Sequence, residues 1–185
     1  MSKDIIPECY IDTALVESLL SLCGALRGGV NHQKGCNTVA KTMKEKFGES
    51  FALGVIDEDK RQPKYCENFG EICRSEHLSI KKHKDRPHFL VVVRPAMDRF
   101  IFDCVDDLNN SASNHQINLS DYDLPSSFEE FKSECKRVAS KQDPRFRRLF
   151  SALRTHEEMK RLQDLLCYLV QNSYQADLDH IRRLF

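Results

Sequence analysis

"FALGVIDEDKR", residues 51–61, decides how the rest of the chain is read. Its first six residues are apolar, too few for a helix and bounded by turn chemistry, which marks a buried strand. Asp57, Glu58 and Asp59 follow at its end, and a tight turn there can aim Asp57 and Asp59 in one direction. Such a pair is either the solvated end of a strand or part of a metal site, because hard cations favour clustered carboxylate oxygens.

Upstream, residues 5–11 read as a short first strand, weakened by Pro7. "TALVESLLSLCGAL", 13–26, puts Leu15, Leu19, Cys23 and Leu26 on one helical stripe, and Gly28 and Gly29 stop it. "CNTVAKTMKEKFG", 36–48, is a second helix that ends at Gly48. Downstream, residues 60–76 are polar and read as a loop with one short helix. "LSIKK", 78–82, and "HFLVVV", 88–93, are two strands, and "PAMDRFIFDCV", 95–105, is a helix opened by Pro95. This succession predicts an α/β layer with a mostly parallel central sheet flanked by helices.

"DDLNNSASNHQ", 106–116, is the clearest boundary and separates an α/β domain, 1–108, from an all-helical C-terminal region, 117–185. In that region "SSFE" at 126–129 and "THEE" at 155–158 match the capping box. "DPRFRRLFSALR" carries a helix with Pro144 near its start. Leu162, Leu165, Leu166 and Leu169 line another, and a last one runs through "QADLDHIRRLF".

The 185 residues suit one domain or one domain with a helical annex. With 41% hydrophobic and 30% charged residues, there is enough apolar material for a core. Lys plus Arg equals Asp plus Glu at 28 each, so a nucleic-acid partner would have to be met by a local patch. The eight cysteines include no C-x-x-C spacing, which argues against a zinc ribbon or a thioredoxin-like site. Free thiols in a reducing cytoplasm are the expectation. The most apolar run, "HFLVVV", is far shorter than the roughly 20 residues of a membrane span, so no membrane is expected.

In an open α/β sheet, ligands bind at the carboxyl ends of the strands. Asp12 follows the first strand, Asp57 follows the second, and Glu17 sits about one helical turn from Asp12. The order "CYIDTALVESLL", "NHQKGCNTVAKTMKEKF", "FALGVIDEDK", "VVVRPAMDRFI" resembles the Toprim domain, most closely that of overcoming-lysogenization-defect nucleases and their stand-alone relatives. That family shows an acid after its first strand, a Gly- and Lys-containing loop into a helix, a strand ending in D-x-D, and a further acid at a later helix start. The corresponding residues here are Asp12 with Glu17, Lys34 with Gly35 and Asn37, Asp57 with Asp59, and Asp98. The resemblance covers roughly residues 5–108. Two departures stand out. The family's first acid is a glutamate followed by glycine, whereas Thr13 follows Asp12, and the later acid is Asp98 where the family has glutamate.

The resemblance implies a Toprim/Rossmann-like fold and phosphoryl transfer on DNA or RNA, dependent on Mg2+ or Mn2+, by a small nuclease. In such sites two cations about 4 Å apart stabilise the attacking and leaving oxygens. Asp57, Asp59 and Asp98 would be the metal ligands. Asp12 or Glu17 would complete the cluster, and Lys34 or Lys60 would neutralise charge building on the phosphate. The alternative is a catalytically inactive Toprim-like module that binds nucleic acid or a protein partner, the latter through the helical C-terminal region.

Other motifs have both a functional and a structural reading. "KKHKDRPH", 81–88, could track a phosphate backbone or be the solvated tip between two strands. Phe146 and Phe150 among the arginines of "RFRRLFSALR" fit a helix with its aromatics in the core better than a nucleic-acid contact. His77, His83 and His88 are poor candidates for a transition-metal site. Gly28 and Gly29 lack any phosphate-loop context.

Overall fold

The computed structural model describes residues 3–26, 28–58, 62–111 and 116–185. Its centre is a five-stranded sheet of order β1-β2-β5-β4-β3, made of β1 (Ile5–Pro7), β2 (Ala52–Asp57), β3 (Phe69–Arg74), β4 (Leu78–His83) and β5 (His88–Val93). The helices are α1 (Tyr10–Leu22), α2 (Cys36–Thr42), α3 (Met97–Asn110), α4 (Phe128–Cys135), α5 (Pro144–Ala152), α6 (Glu157–Asn172) and α7 (Leu178–Arg183). A π-helical turn, Met43–Phe47, prolongs α2.

The strands β2 and β5 are buried along almost their whole length, as their unbroken apolar runs require. Alternate residues go to opposite faces. Ile5, Leu53, Val55, Phe89, Val91 and Val93 join one buried cluster, and Ile6, Ala52, Ile56, Leu90 and Val92 join another. Over the second face α2 and the π turn lie close, because Gly54 has no side chain. A Cβ there would stand 2.8 Å from both Leu90 Cδ1 and Met43 Sδ. Over the first face lie α1 and α3. Residues of α4, α5, α6 and α7 belong to this same cluster, so both stretches of chain, 1–108 and 117–185, contribute to one core.

The sheet is mixed rather than mostly parallel. β1 and β5 run parallel to β2, but β4 is antiparallel to β5 and β3 to β4. The connections explain it. Three residues join β3 to β4 and four join β4 to β5, whereas a parallel crossover needs a dozen or more. Part of the stretch expected to be loop, 60–76, is the strand β3, whose register shifts at a bulge between Glu71 and Cys73.

The first strand is also shorter than expected, and α1 begins at Tyr10 instead of Thr13. Asp12 causes this. Its carboxylate accepts from the backbone N–H of Cys9 at 3.1 Å and from Cys9 Sγ at 2.8 Å, closing a capping box that turns the chain out of the sheet. The outer edge of β1 is covered by the loop after α1, since Asn31 N and Gln33 N donate to Ile5 O and Pro7 O.

At the other ends, α3 starts at Met97, after a cis Arg94–Pro95 bond, and runs through Asn110 into the expected boundary. The N-cap of α4 is Ser127, one residue later than the motif suggested, and its hydroxyl donates to the Glu130 carboxylate instead of capping a backbone N–H. Pro144 stands in the first turn of α5, as expected, and Asp143 caps that helix. Cys23 and Cys167 are joined in a disulfide between the end of α1 and α6, against the expectation of free thiols; the other six cysteines are free. Among the described residues no helix is long and apolar enough to cross a membrane.

Candidate functional site

The carboxyl ends of β1 and β2 lie side by side, with an acid directly after β1 and another as the last residue of β2. Glu8 directly follows β1, and its backbone N–H still pairs with Val55 O at 3.0 Å. Its carboxylate reaches across to accept the backbone N–H of Asp57, the last residue of β2, at 3.1 Å. Asp57 in turn accepts the backbone N–H of Met97 at 2.9 Å, in the first turn of α3, where unpaired amides favour an anion. Asp98, next along α3, is half-buried and accepts from Arg99 N. Asp12 lies behind them, 0% exposed.

Asp57 and Asp98 line a pocket of about 200 Å³ together with Cys9, Tyr10 and Ile11 from the start of α1 and Cys135 and Lys136 from the end of α4. The helical C-terminal half therefore supplies one wall of the site. Lys136 is the sole basic side chain among the described residues that line it.

Four carboxylates in this space repel one another. Burial pushes the Asp57 carboxyl up to about 8, and Asp12, Glu8 and Asp98 add to that while the Met97 N–H works against it. Burial also raises Asp12, to about 6, against the stabilising bonds from Cys9. The thiols of Cys9 and Cys135 are held far above their ordinary range by burial and by the neighbouring aspartates, so neither is a thiolate nucleophile. A carboxyl that titrates near neutrality can exchange a proton in general acid–base work. The same crowding of oxygens is relieved by a bound cation.

The structure brings together Asp12, Asp57 and Asp98 of the residues expected from sequence. It does not bring Glu17 to them. That carboxylate accepts the N–H of Val30 at 3.2 Å and borders a different pocket, beside Ser18, Leu22 and Arg147. Lys34 is exposed in the loop before α2 and does not line the acid pocket. Asp59 and Lys60 lie outside the described residues. Glu8 is the site residue that sequence reasoning missed. Its signal is its place directly after the apolar Ile5–Pro7 triplet, hidden when the strand is drawn on to residue 11.

A hard divalent cation fits the donor chemistry, which is all carboxylate oxygen. The spacing is less complete. Among the described residues no three His, Cys, Asp or Glu side chains stand close enough to hold one ion.

No family model, curated protein or solved structure matches the chain.

Proposed function

We propose that this protein is a small Toprim-like nuclease that transfers phosphoryl groups on nucleic acid with a divalent metal ion, Mg2+ or Mn2+. One observation carries the reading: acids from three separate segments, Glu8, Asp57 and Asp98, converge where β1 and β2 end, at the edge where α/β sheets bind ligands. Glu8 stands where the Toprim pattern has an acid after its first strand, a better match in place and residue type than Asp12.

In this reading Asp57 and Asp98, which line the pocket, would be the cation's ligands, with Glu8 bonded alongside Asp57 and Asp59 as the further ligand that the resemblance implies. The ion, when bound, draws charge from the phosphate oxygens and lowers the pKa of water. Asp12 is a positioning residue: buried and bonded to Cys9, it fixes the turn that places Glu8. Lys136, on the rim, is placed to meet phosphate charge in the role expected of Lys34 or Lys60.

A second reading is favoured by the absence of a three-ligand group among the described residues. In it the fold is retained without catalysis and binds nucleic acid or a protein partner.

The experiment that separates them is a thermal melt with Mg2+ or Mn2+, paired with cleavage of plasmid and single-stranded DNA. The nuclease reading expects either ion to raise the Tm and Asp57→Asn to remove both that gain and the cleavage. No shift with either ion sinks it. Cleavage that survives Asp57→Asn places any activity elsewhere.

A further inference from the structure

The end of the sheet opposite the acid site holds a second pocket. β5 runs from His88 to Val93, and Asp57 pairs with Val93, so the far end of that strand lies about 15–20 Å away. There a pocket of about 450 Å³ opens between the π turn, the Lys64–Asn68 turn and the tip of the β4–β5 hairpin. Lys44, Lys64, Lys84 and Arg86 line it against a single acid, Asp85, in a chain whose net charge is zero.

A solvated hairpin tip would leave these cations on loose tethers, but here the walls are tied together. His83 Nδ1 accepts the backbone N–H groups of both Asp85 and Arg86, at 3.1 and 3.2 Å, which fixes the tip and puts the ring proton on Nε2. The Lys84 N–H donates to Asn68 O, and Asn68 Nδ2 donates to Tyr65 O. Arg86 reaches over to Lys44 O in the π turn at 3.3 Å and meets the exposed carboxylate of Glu49. Tyr65 forms the floor. Its hydroxyl bonds His88 Nδ1 at 2.7 Å, and His88 Nε2 is held by Ser50 O.

We propose that this pocket is a phosphate-binding site, in which Lys44, Lys64, Lys84 and Arg86 supply the charge and His83 a neutral N–H donor. Clustered cations and N–H donors on a tied backbone are what a phosphate oxygen cluster recognises. The room left beyond one phosphate admits the rest of a nucleotide, so the group arrives on a free nucleotide or on a polynucleotide. The site needs neither the acid pocket nor a metal ion.

The test uses the full chain in EDTA, which silences metal-dependent binding at the acid site. Binding is measured for 5′-AMP by calorimetry and for single-stranded DNA oligonucleotides, with and without a 5′-phosphate, by fluorescence anisotropy. At least one probe should bind and weaken as salt rises. Lys44→Gln with Lys84→Gln should weaken it about tenfold, close to 1.4 kcal/mol, without changing the Tm. Lys160→Gln with Arg183→Gln removes the same charge elsewhere and should leave the affinity as it was. Preference for the 5′-phosphorylated strand identifies a terminal monoester, equal binding of the two strands identifies backbone diesters, and binding of 5′-AMP alone identifies a free nucleotide. Absence of binding by all three at millimolar concentration overturns the proposal. So does an equal loss in the two double variants.

Discussion

The backbone N–H of Asp57 donates to the carboxylate of Glu8 at 3.1 Å, so the two parallel strands are joined at their ends by an acid as well as by the ladder. One carboxylate is thereby fixed next to another. The arrangement costs stability unless a proton or a cation intervenes, because like charges at short range disfavour their own ionisation. That tension is what gives the site its measurable properties.

The first is pH dependence without metal. An Asp57 carboxyl raised to about 8, and Asp12 raised to about 6, mean that the folded chain holds protons which the unfolded chain has already lost. Stability from these groups is therefore full below about pH 4 and falls as pH rises towards 8. Asp57→Asn keeps an acceptor for Met97 N and removes the charge. It should raise the Tm at pH 8 in EDTA by about 3–10 °C, on the order of 1–3 kcal/mol, and by much less at pH 5. A variant whose Tm gain is equal at both pH values would show that Asp57 is ionised throughout.

The second concerns which glutamate matters. Glu8→Gln should abolish divalent-dependent cleavage, a loss of about a hundredfold or more, with the fold intact by circular dichroism. Glu17→Gln should leave cleavage within about twofold. Its carboxylate serves Val30 N, so the cost should appear in stability, at about 0.5–1.5 kcal/mol. Comparing the two variants in one assay checks the assignment, and the opposite ranking would defeat it.

That swap shows why the site was only partly legible. Asp57 was readable because a buried strand has to end somewhere, and acids at its end are conspicuous. Asp98 was reached through the Toprim resemblance, which has a further acid at a later helix start. Glu8 was not, because the length of β1 is set by a side chain: Asp12 caps Cys9 and pulls residues 9–12 into α1. A cysteine at the head of a helix carries no cap signal, since Ser, Thr, Asp and Asn are the usual caps. Glu17 looked equivalent to Asp12 by helical spacing, yet five residues carry it round to the Val30 loop.

The third tests the close approach of helix to sheet. Gly54 sits in β2 under Val39 and Met43, and a Cβ would also meet Val39 Cγ1 at 3.1 Å. Gly54→Ala should destabilise the chain by about 1–3 kcal/mol in urea unfolding, as overpacked cores do. Met43→Ala in the same background should recover part of that loss by removing one of the clashing atoms. Gly54→Ala at parental stability would mean that α2 can move away freely.

The strands themselves were legible to different degrees for a related reason. β2 and β5 are buried on both faces, so their composition alone marks them. β3 is mostly exposed and its bulge breaks the two-residue alternation, leaving "FGEICR" without a strand pattern. The mixed sheet could have been foreseen from loop length, since four residues between β4 and β5 leave no room for a crossover. Nothing local announces that the C-terminal helices share the core of the sheet or that α4 closes the acid pocket. Those contacts join residues far apart in sequence.

The last prediction bears on that long-range contact. Cys23 and Cys167 are 144 residues apart, and their disulfide ties the end of α1, whose beginning forms one wall of the acid pocket, to the helical half that provides Cys135 and Lys136. A cross-link over so long a loop restricts the unfolded chain strongly, by about 3–5 kcal/mol in the chain-entropy account. Reduction with dithiothreitol should therefore lower the Tm by about 6–15 °C. Cys23→Ser should melt at the reduced temperature and respond no further to the reductant. The other free thiols that lie in apolar surroundings, such as Cys104, are inert, so a shift that persists in Cys23→Ser would point to a different pairing.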